Sequence, residues 1–341
     1  MSTEVTLESF TFPSTDGAST ISACAWWPAG MAPKGSEERP APRGVVQLVH
    51  GMAEHIDRYD AFARFLASHG FLVVGHDQIG HGRSCPPEHW GELPVGSGAK
   101  ALVEDIDVLR GMAQGRVAAG TPYVIFGHSM GSFEVRSYIA HHGEGLAGAI
   151  ICGTGFLPAA ASKAALKITW LEAFFRGAEH RSRLVDSMGA GGFGKAIPDA
   201  RTNLDWLSRN RKNVDDYIAD PSCGFMFSVG AYHEVAVLTS EVNDPACAAG
   251  VPHDLPLLYV SGAEDPVGDN GVGVEKAAAL ARGAGSADVT VRLYPHMRHE
   301  ILNETGREQV FADVLAWIEE RVAPCGQGAC DAPAPTATEE A

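Results

Sequence analysis

The chain has 341 residues, of which 45% are hydrophobic and 20% charged, enough apolar material for a sizeable packed core. Its 26 Lys+Arg against 42 Asp+Glu give a formal net charge of -16, which argues against a nucleic-acid surface and against attraction to anionic lipid. No apolar run approaches the length of a membrane span, and the opening MSTEVTLESFTFPSTDG is acidic where a secretory signal would be basic, so a cytoplasmic protein without stable membrane insertion is expected.

In chain order, residues 4–27 read as two strands around the turn STDG. Short apolar runs follow at 44–51, 71–77, 123–129, 146–153, 255–262 and 289–295, alternating with helical stretches at 59–69, 100–119, 132–142, 274–283 and 305–322. Near-continuous apolar strands separated by helices predict an α/β fold: a mostly parallel central sheet with helices on both faces. In such sheets the chemistry sits beyond the carboxyl ends of the strands.

Between 153 and 255 the alternation stops for roughly a hundred residues, too long for a connecting loop in a compact domain. This stretch holds a helix with a large apolar face (Leu166, Trp170, Phe174, flanked by Ile168, Leu171 and Phe175), a glycine-rich patch and more helix. It reads as a helical cap over the strand ends, although any single aromatic there also suits core packing. The expected organisation is a first core segment at 1–156, a cap at 157–236, a second core segment at 237–322, and a disordered acidic tail at 323–341. The seven cysteines, at 24, 85, 152, 223, 247, 325 and 330, are scattered and odd in number, as for reduced thiols.

The run YVIFGHSMGS, Tyr123 to Ser132, places Ser129 between Gly127 and Gly131 where a strand gives way to a helix. Glycines at those positions remove the β-carbons that would collide in a sharp strand-to-helix turn, leaving the serine hydroxyl exposed at its apex. A serine needs a base to take its proton, usually an imidazole held by a carboxylate. Asp265 follows the run at 255–262, and His299 follows the run at 289–295; Glu264 and Asp269 are rival acids, and His296 is a rival base. The order Ser129, Asp265, His299 is the one used by the α/β-hydrolase fold. Two backbone N–H groups must then hold the developing oxyanion: that of Met130, after the serine, and that of Met52, in the loop after 44–51. Glu54, His55, Arg58 and Tyr59 read as polar groups steadying that loop.

HGMAEHIDRY (50–59), GHDQIGHGRS (75–84), GHSMGS (127–132), WLSRNRKNVDDYIADPSCGF (206–225), SGAEDPVG (261–268) and YPHMRHEILNE (294–304) together resemble the monoacylglycerol lipase and lysophospholipase branch of the α/β-hydrolases, over about residues 20–320. The resemblance implies that Asp265, before Pro-Val-Gly, is the acid and that His299, before Glu-Ile-Leu-Asn, is the base. It implies a serine hydrolase acting on monoacylglycerols, similar single-chain lipid esters or short acyl esters. The cap itself leaves room for transient lipid contact. Gln78 and Ile79 depart from a more basic pair, and His296 from a smaller residue. Amide or thioester hydrolysis, or acyl transfer, by the same three residues is the alternative, followed by a non-catalytic ligand-binding homologue.

GAGGFGK (189–195) has the spacing of a phosphate-binding loop, but Ala196 stands where Ser or Thr should bind magnesium, no strand precedes it, and Pro198 follows. HGMAEH and HDQIGH lack two histidines one helical turn apart with a glutamate between. No cofactor and no metal are therefore expected.

Overall fold

The computed structural model describes residues 4–31, 40–198 and 200–322; the expected tail at 323–341, with Cys325 and Cys330, lies outside the described residues. In chain order the elements are β1 (Thr6–Pro13), β2 (Thr20–Trp27), β3 (Gly44–Val49), α1 (Asp60–Ser68), β4 (Phe71–His76), α2 (Gly98–Gln114), β5 (Tyr123–His128), α3 (Met130–His142) and β6 (Gly148–Cys152). Then come α4 (Ala159–Arg176), α5 (Arg183–Met188), α6 (Arg211–Ala219), α7 (Val229–Val242), α8 (Pro245–Ala248), β7 (Leu257–Gly262), α9 (Val272–Gly283), β8 (Val289–Tyr294) and α10 (Arg307–Arg321).

The strands form one sheet in the order β1-β2-β4-β3-β5-β6-β7-β8. β2 runs antiparallel to both neighbours, and every pair from β4 to β8 is parallel. Strands β3 to β7 are buried along their whole length, which is why they read as continuous apolar runs rather than alternating ones. Phe62 and Leu66 of α1 pack with Val314 and Ile318 of α10 on one face. Leu102 and Leu109 of α2, Tyr138 and Ile139 of α3, and Val274 and Ala278 of α9 cover the other.

From β3 the chain crosses outward to β4, then returns to β5 and proceeds the other way to β6. The crossovers therefore diverge between β3 and β5, and the crevice left at their carboxyl ends is where a doubly wound sheet opens a site. Ser129 directly follows β5, and Gly51 and Met52 follow β3.

The stretch after β6 is helical, with two departures from the expectations above. Trp170, Phe174 and Phe175 of α4 are 56%, 69% and 76% exposed, so they pack neither on the core nor into an interior; the inward face carries Ala165, Ile168 and Thr169. The glycine-rich patch, which as a sequence read as a cap loop, forms a 3-10 helix, Ala190–Ala196. Helix α7 passes unbroken through position 236 and packs against α2, α3 and α4. The buried Glu234 on α7 accepts the N–H groups of Gly96 and Ala99, at 2.6 and 2.9 Å, beside the positive end of α2. At the far end Arg136 of α3 donates to Val242 O at 2.6 Å and Asn243 Oδ1 at 3.0 Å. Among the described residues no helix is long and apolar enough to cross a membrane.

Candidate active site

Ser129 sits at φ 55°, ψ -119°, a conformation that costs a non-glycine residue on the order of 1–3 kcal/mol and persists only where the surroundings impose it. Here they do. Ser129 N donates to Cys152 O at 2.9 Å, and Ser132 returns its N–H and Oγ to Ser129 O at 2.9 and 2.5 Å. A β-carbon on Gly127 would lie 2.2 Å from Gly131 O, and one on Gly131 would lie 2.4 Å from Val49 O and 2.5 Å from His50 O. The glycine spacing is thus a steric requirement of packing the turn directly against the β3 loop.

Asp265 and His299 come from the ends of β7 and β8 and are both buried. His299 Nδ1 and Asp265 Oδ2 are 2.9 Å apart. Asp265 is held in turn by the N–H of Val267 at 2.9 Å and the hydroxyl of Ser261 at 3.0 Å. The His299 ring lies between His128 and Trp206, with centroids 4.6 and 5.0 Å away. Burial alone would lower its pKa, but the charge and hydrogen bond of Asp265 outweigh burial and raise it above the ordinary imidazole value. With Nδ1 on the carboxylate, Nε2 is left for the cavity that Ser129 also lines. Among the described residues no hydrogen bond joins Ser129 Oγ to His299; such contacts often close only around a substrate.

The rivals lie elsewhere. The His296 side chain is 86% exposed and 3.4 Å from Glu264, and Glu264 is also paired with Arg209 at 2.5 Å.

The loop after β3 is braced on every side. His50 Nε2 accepts the N–H of Gln78 at 3.0 Å, so Nδ1 carries the proton and donates to Gly51 O at 2.8 Å. Gln78 Nε2 donates to His50 O at 2.8 Å. Gly51 N–H goes to Glu54 Oε1 at 2.6 Å and Ala53 N–H to His81 Nε2 at 3.2 Å. Met52 N–H, between them, bonds to no group among the described residues, and Met130 opens α3, so its N–H has no acceptor within the helix.

Arg58 joins this loop to two other segments. Its Nε donates to Glu54 at 3.1 Å, and one terminal nitrogen donates to Glu300 at 2.5 Å and Asn213 at 3.3 Å. The guanidinium lies 4.7 Å from the ring centre of Tyr217, whose hydroxyl donates to Ala53 O at 2.7 Å. Glu54 and Arg58 were legible as props; Glu300, directly after His299, and Asn213 and Tyr217 of α6 were not. The only sequence signal was their place inside the quoted motifs.

Ser129, His299, Met52 and Met130 open on one cavity of about 520 Å³ beneath α4 to α7, a size suited to an organic ligand. Its walls are mainly apolar, with Phe133, Ile168, Met188 and Phe225 among them, interrupted by polar side chains such as Asp186, Asn203 and Tyr232.

A family model described as serine aminopeptidase, S33, matches residues 40–306. The chain belongs to this family of α/β-hydrolases. It is 29% identical to a monoacylglycerol lipase of Mycolicibacterium smegmatis over 81% of this chain and 88% of that protein. A solved structure of a thermostable carboxyl esterase from Bacillus coagulans, in complex with glycerol, is 28% identical and superposes with a TM-score of 0.83, covering 93% of this chain and 99% of that one. The monoglyceride lipase of Saccharomyces cerevisiae, a soluble variant in complex with a substrate analogue, gives a TM-score of 0.69 over 94% and 97% at 21% identity, a likeness of fold alone. Within this hydrolase Gln78 holds His50 from two sides, through its own N–H and its side-chain amide, and so steadies the loop that carries Met52.

Proposed function

We propose that Ser129 is the nucleophile, His299 the base and Asp265 the group that orients it, in an enzyme that hydrolyses monoacylglycerols or similar single-chain acyl esters. The enzyme is a carboxylic ester hydrolase, in keeping with relatives named as lipases and esterases. Ser129 Oγ attacks the ester carbonyl carbon while its proton passes to His299 Nε2, and the resulting oxyanion accepts the N–H groups of Met52 and Met130. The imidazolium, paired with Asp265, returns the proton to the departing alcohol as the carbon–oxygen bond breaks, leaving an acyl group on Ser129. Water repeats the sequence and releases the carboxylic acid.

The observation that carries this reading is the buried Asp265 and His299 pair at 2.9 Å, opening on the same apolar cavity as a serine held in strained geometry. The helices from α4 to α7 act as a cap that excludes water, and the exposed Trp170, Phe174 and Phe175 give it an apolar outer face for transient contact with lipid. A cytoplasmic location belongs to the same reading.

The test is labelling by a fluorophosphonate probe together with hydrolysis of glycerol esters of increasing acyl length. Wild type should label and turn over, and Ser129→Ala should do neither; a folded wild type that stays unlabelled overturns the proposal. Because the family model carries an aminopeptidase description, aminoacyl amides belong in the same assay. Faster turnover of amides than of esters would move the substrate class without moving the residues.

A further inference from the structure

Three metal-ligating side chains meet where the cap touches the loop after β3. His55 Nε2 lies 2.9 Å from Asp220 Oδ2, and the Cys223 sulfur completes a group whose donor atoms all lie within 4.8 Å of one another. We propose that His55, Asp220 and Cys223 form a binding site for one borderline-soft divalent cation, of which Zn²⁺ is the type, with solvent in the fourth position.

The donor set itself points to such an ion. One nitrogen, one carboxylate oxygen and one sulfur suit a tetrahedral Zn²⁺, whose bonds of about 2.0–2.3 Å put neighbouring donors about 3.3–3.6 Å apart. The His55 and Asp220 atoms are closer than that by a few tenths of an ångström, so an ion can take the place of the hydrogen bond between them with little movement.

The donors are also held in advance. Asp220 Oδ1 accepts the N–H and hydroxyl of Ser222 at 2.9 and 2.5 Å, which fixes Oδ2 toward His55. Cys223 N–H donates to Asp220 O at 3.0 Å, and Gly224 N–H donates to Ala53 O at 2.9 Å. The turn and the loop are thus aligned by bonds that the ion would not disturb, the kind of outer support that tunes a metal site.

A bound cation would draw off the thiol proton of Cys223 by its own charge. His55 and Asp220 keep side-chain exposures of 14% and 31%, so the ion arrives from solvent with the buried sulfur behind it.

On binding, the imidazole proton moves from Nε2 to Nδ1, and the thiol proton leaves to solvent. One proton is released per ion, and nothing is oxidised.

HGMAEH by itself has no further ligand at metal spacing. The cap supplies the missing two from 165 and 168 residues beyond His55.

The experiment titrates the full chain with Co²⁺ and follows the near-ultraviolet absorption of a thiolate-to-cobalt bond, then displaces Co²⁺ with Zn²⁺. One equivalent with a sulfur band in wild type, lost in Cys223→Ala, is expected. No band, or an equal band in Cys223→Ala, overturns the site. Should that variant not fold, Asp220→Asn leaves the sulfur in place and should bind at least about tenfold more weakly; unchanged affinity also overturns the site.

Discussion

Replacing Glu134 by glutamine should make the protein more stable, and more so the higher the pH. Glu134 lies on α3, five residues after Ser129, completely buried, and neither carboxyl oxygen has a hydrogen-bond partner among the described residues. Burial above all, only partly offset by the nearby Gln78 amide and with the charge of Asp105 adding a little, holds its pKa well above the usual carboxylate range. In the unfolded chain the same group ionises at about pH 4.3. Between those two values the folded state keeps a proton that the unfolded state has lost, so stability declines as pH rises, by up to about 1.4 kcal/mol per pH unit. The decline begins near the unfolded value and runs upward in pH for as long as the folded state holds the proton. The contribution is whole below the unfolded pKa and is used up as pH climbs toward the folded one. Glutamine has nearly the same shape, carries no charge at any pH, and can donate to Gln78 Oε1, which also lacks a partner among the described residues. Urea unfolding of wild type and Glu134→Gln across that range should show a stability gap that widens with pH; a gap that stays constant refutes the reasoning.

The other predictions concern the reaction. His299 must be neutral to accept a proton, and Asp265 raises its pKa above the ordinary 6.5, so kcat/KM should fall on the acid side through an apparent pKa above that value. In Asp265→Asn the acid limb should move to lower pH and kcat should drop on the order of 10⁴-fold; an unmoved limb would mean that another group sets it. Gly131→Ala forces a methyl within 2.5 Å of the Val49 and His50 carbonyl oxygens. That pushes the Met52 loop off its position, and ester turnover in the folded variant should fall by about a hundredfold or more. Near-normal rates would show that the loop tolerates the shift.

How much of this was legible varies with the physics behind each residue. Val45 to Val49 and Tyr123 to Phe126 announce buried strands because both sheet faces are covered, so no charged residue interrupts them. Gly127, Ser129 and Gly131 were readable because steric exclusion acts between neighbours in the chain. The outward direction of Trp170 and Phe174 was not: an apolar helical face says that something apolar meets it, not what. Glu134 looks like any charged residue on a helix until the packing of α3 against the sheet buries it. The union of Arg58 with Glu300, and of His55 with Asp220 and Cys223, depends on segments that only tertiary folding brings together. The passage of α7 across position 236 shows the same limit, since nothing local marks where a cap stops and a core begins.

That helix has a mechanical consequence. With Glu234 clamped to the start of α2 and the carbonyl of Val242 gripped by Arg136, lifting α7 would strand the Glu234 carboxylate without partners, at a penalty of several kcal/mol, and would leave Arg136 only Thr154 and Gly155 as acceptors. The roof is therefore hung from one wall: α7 is moored at both ends, and α4, which packs along it, is held in place through it.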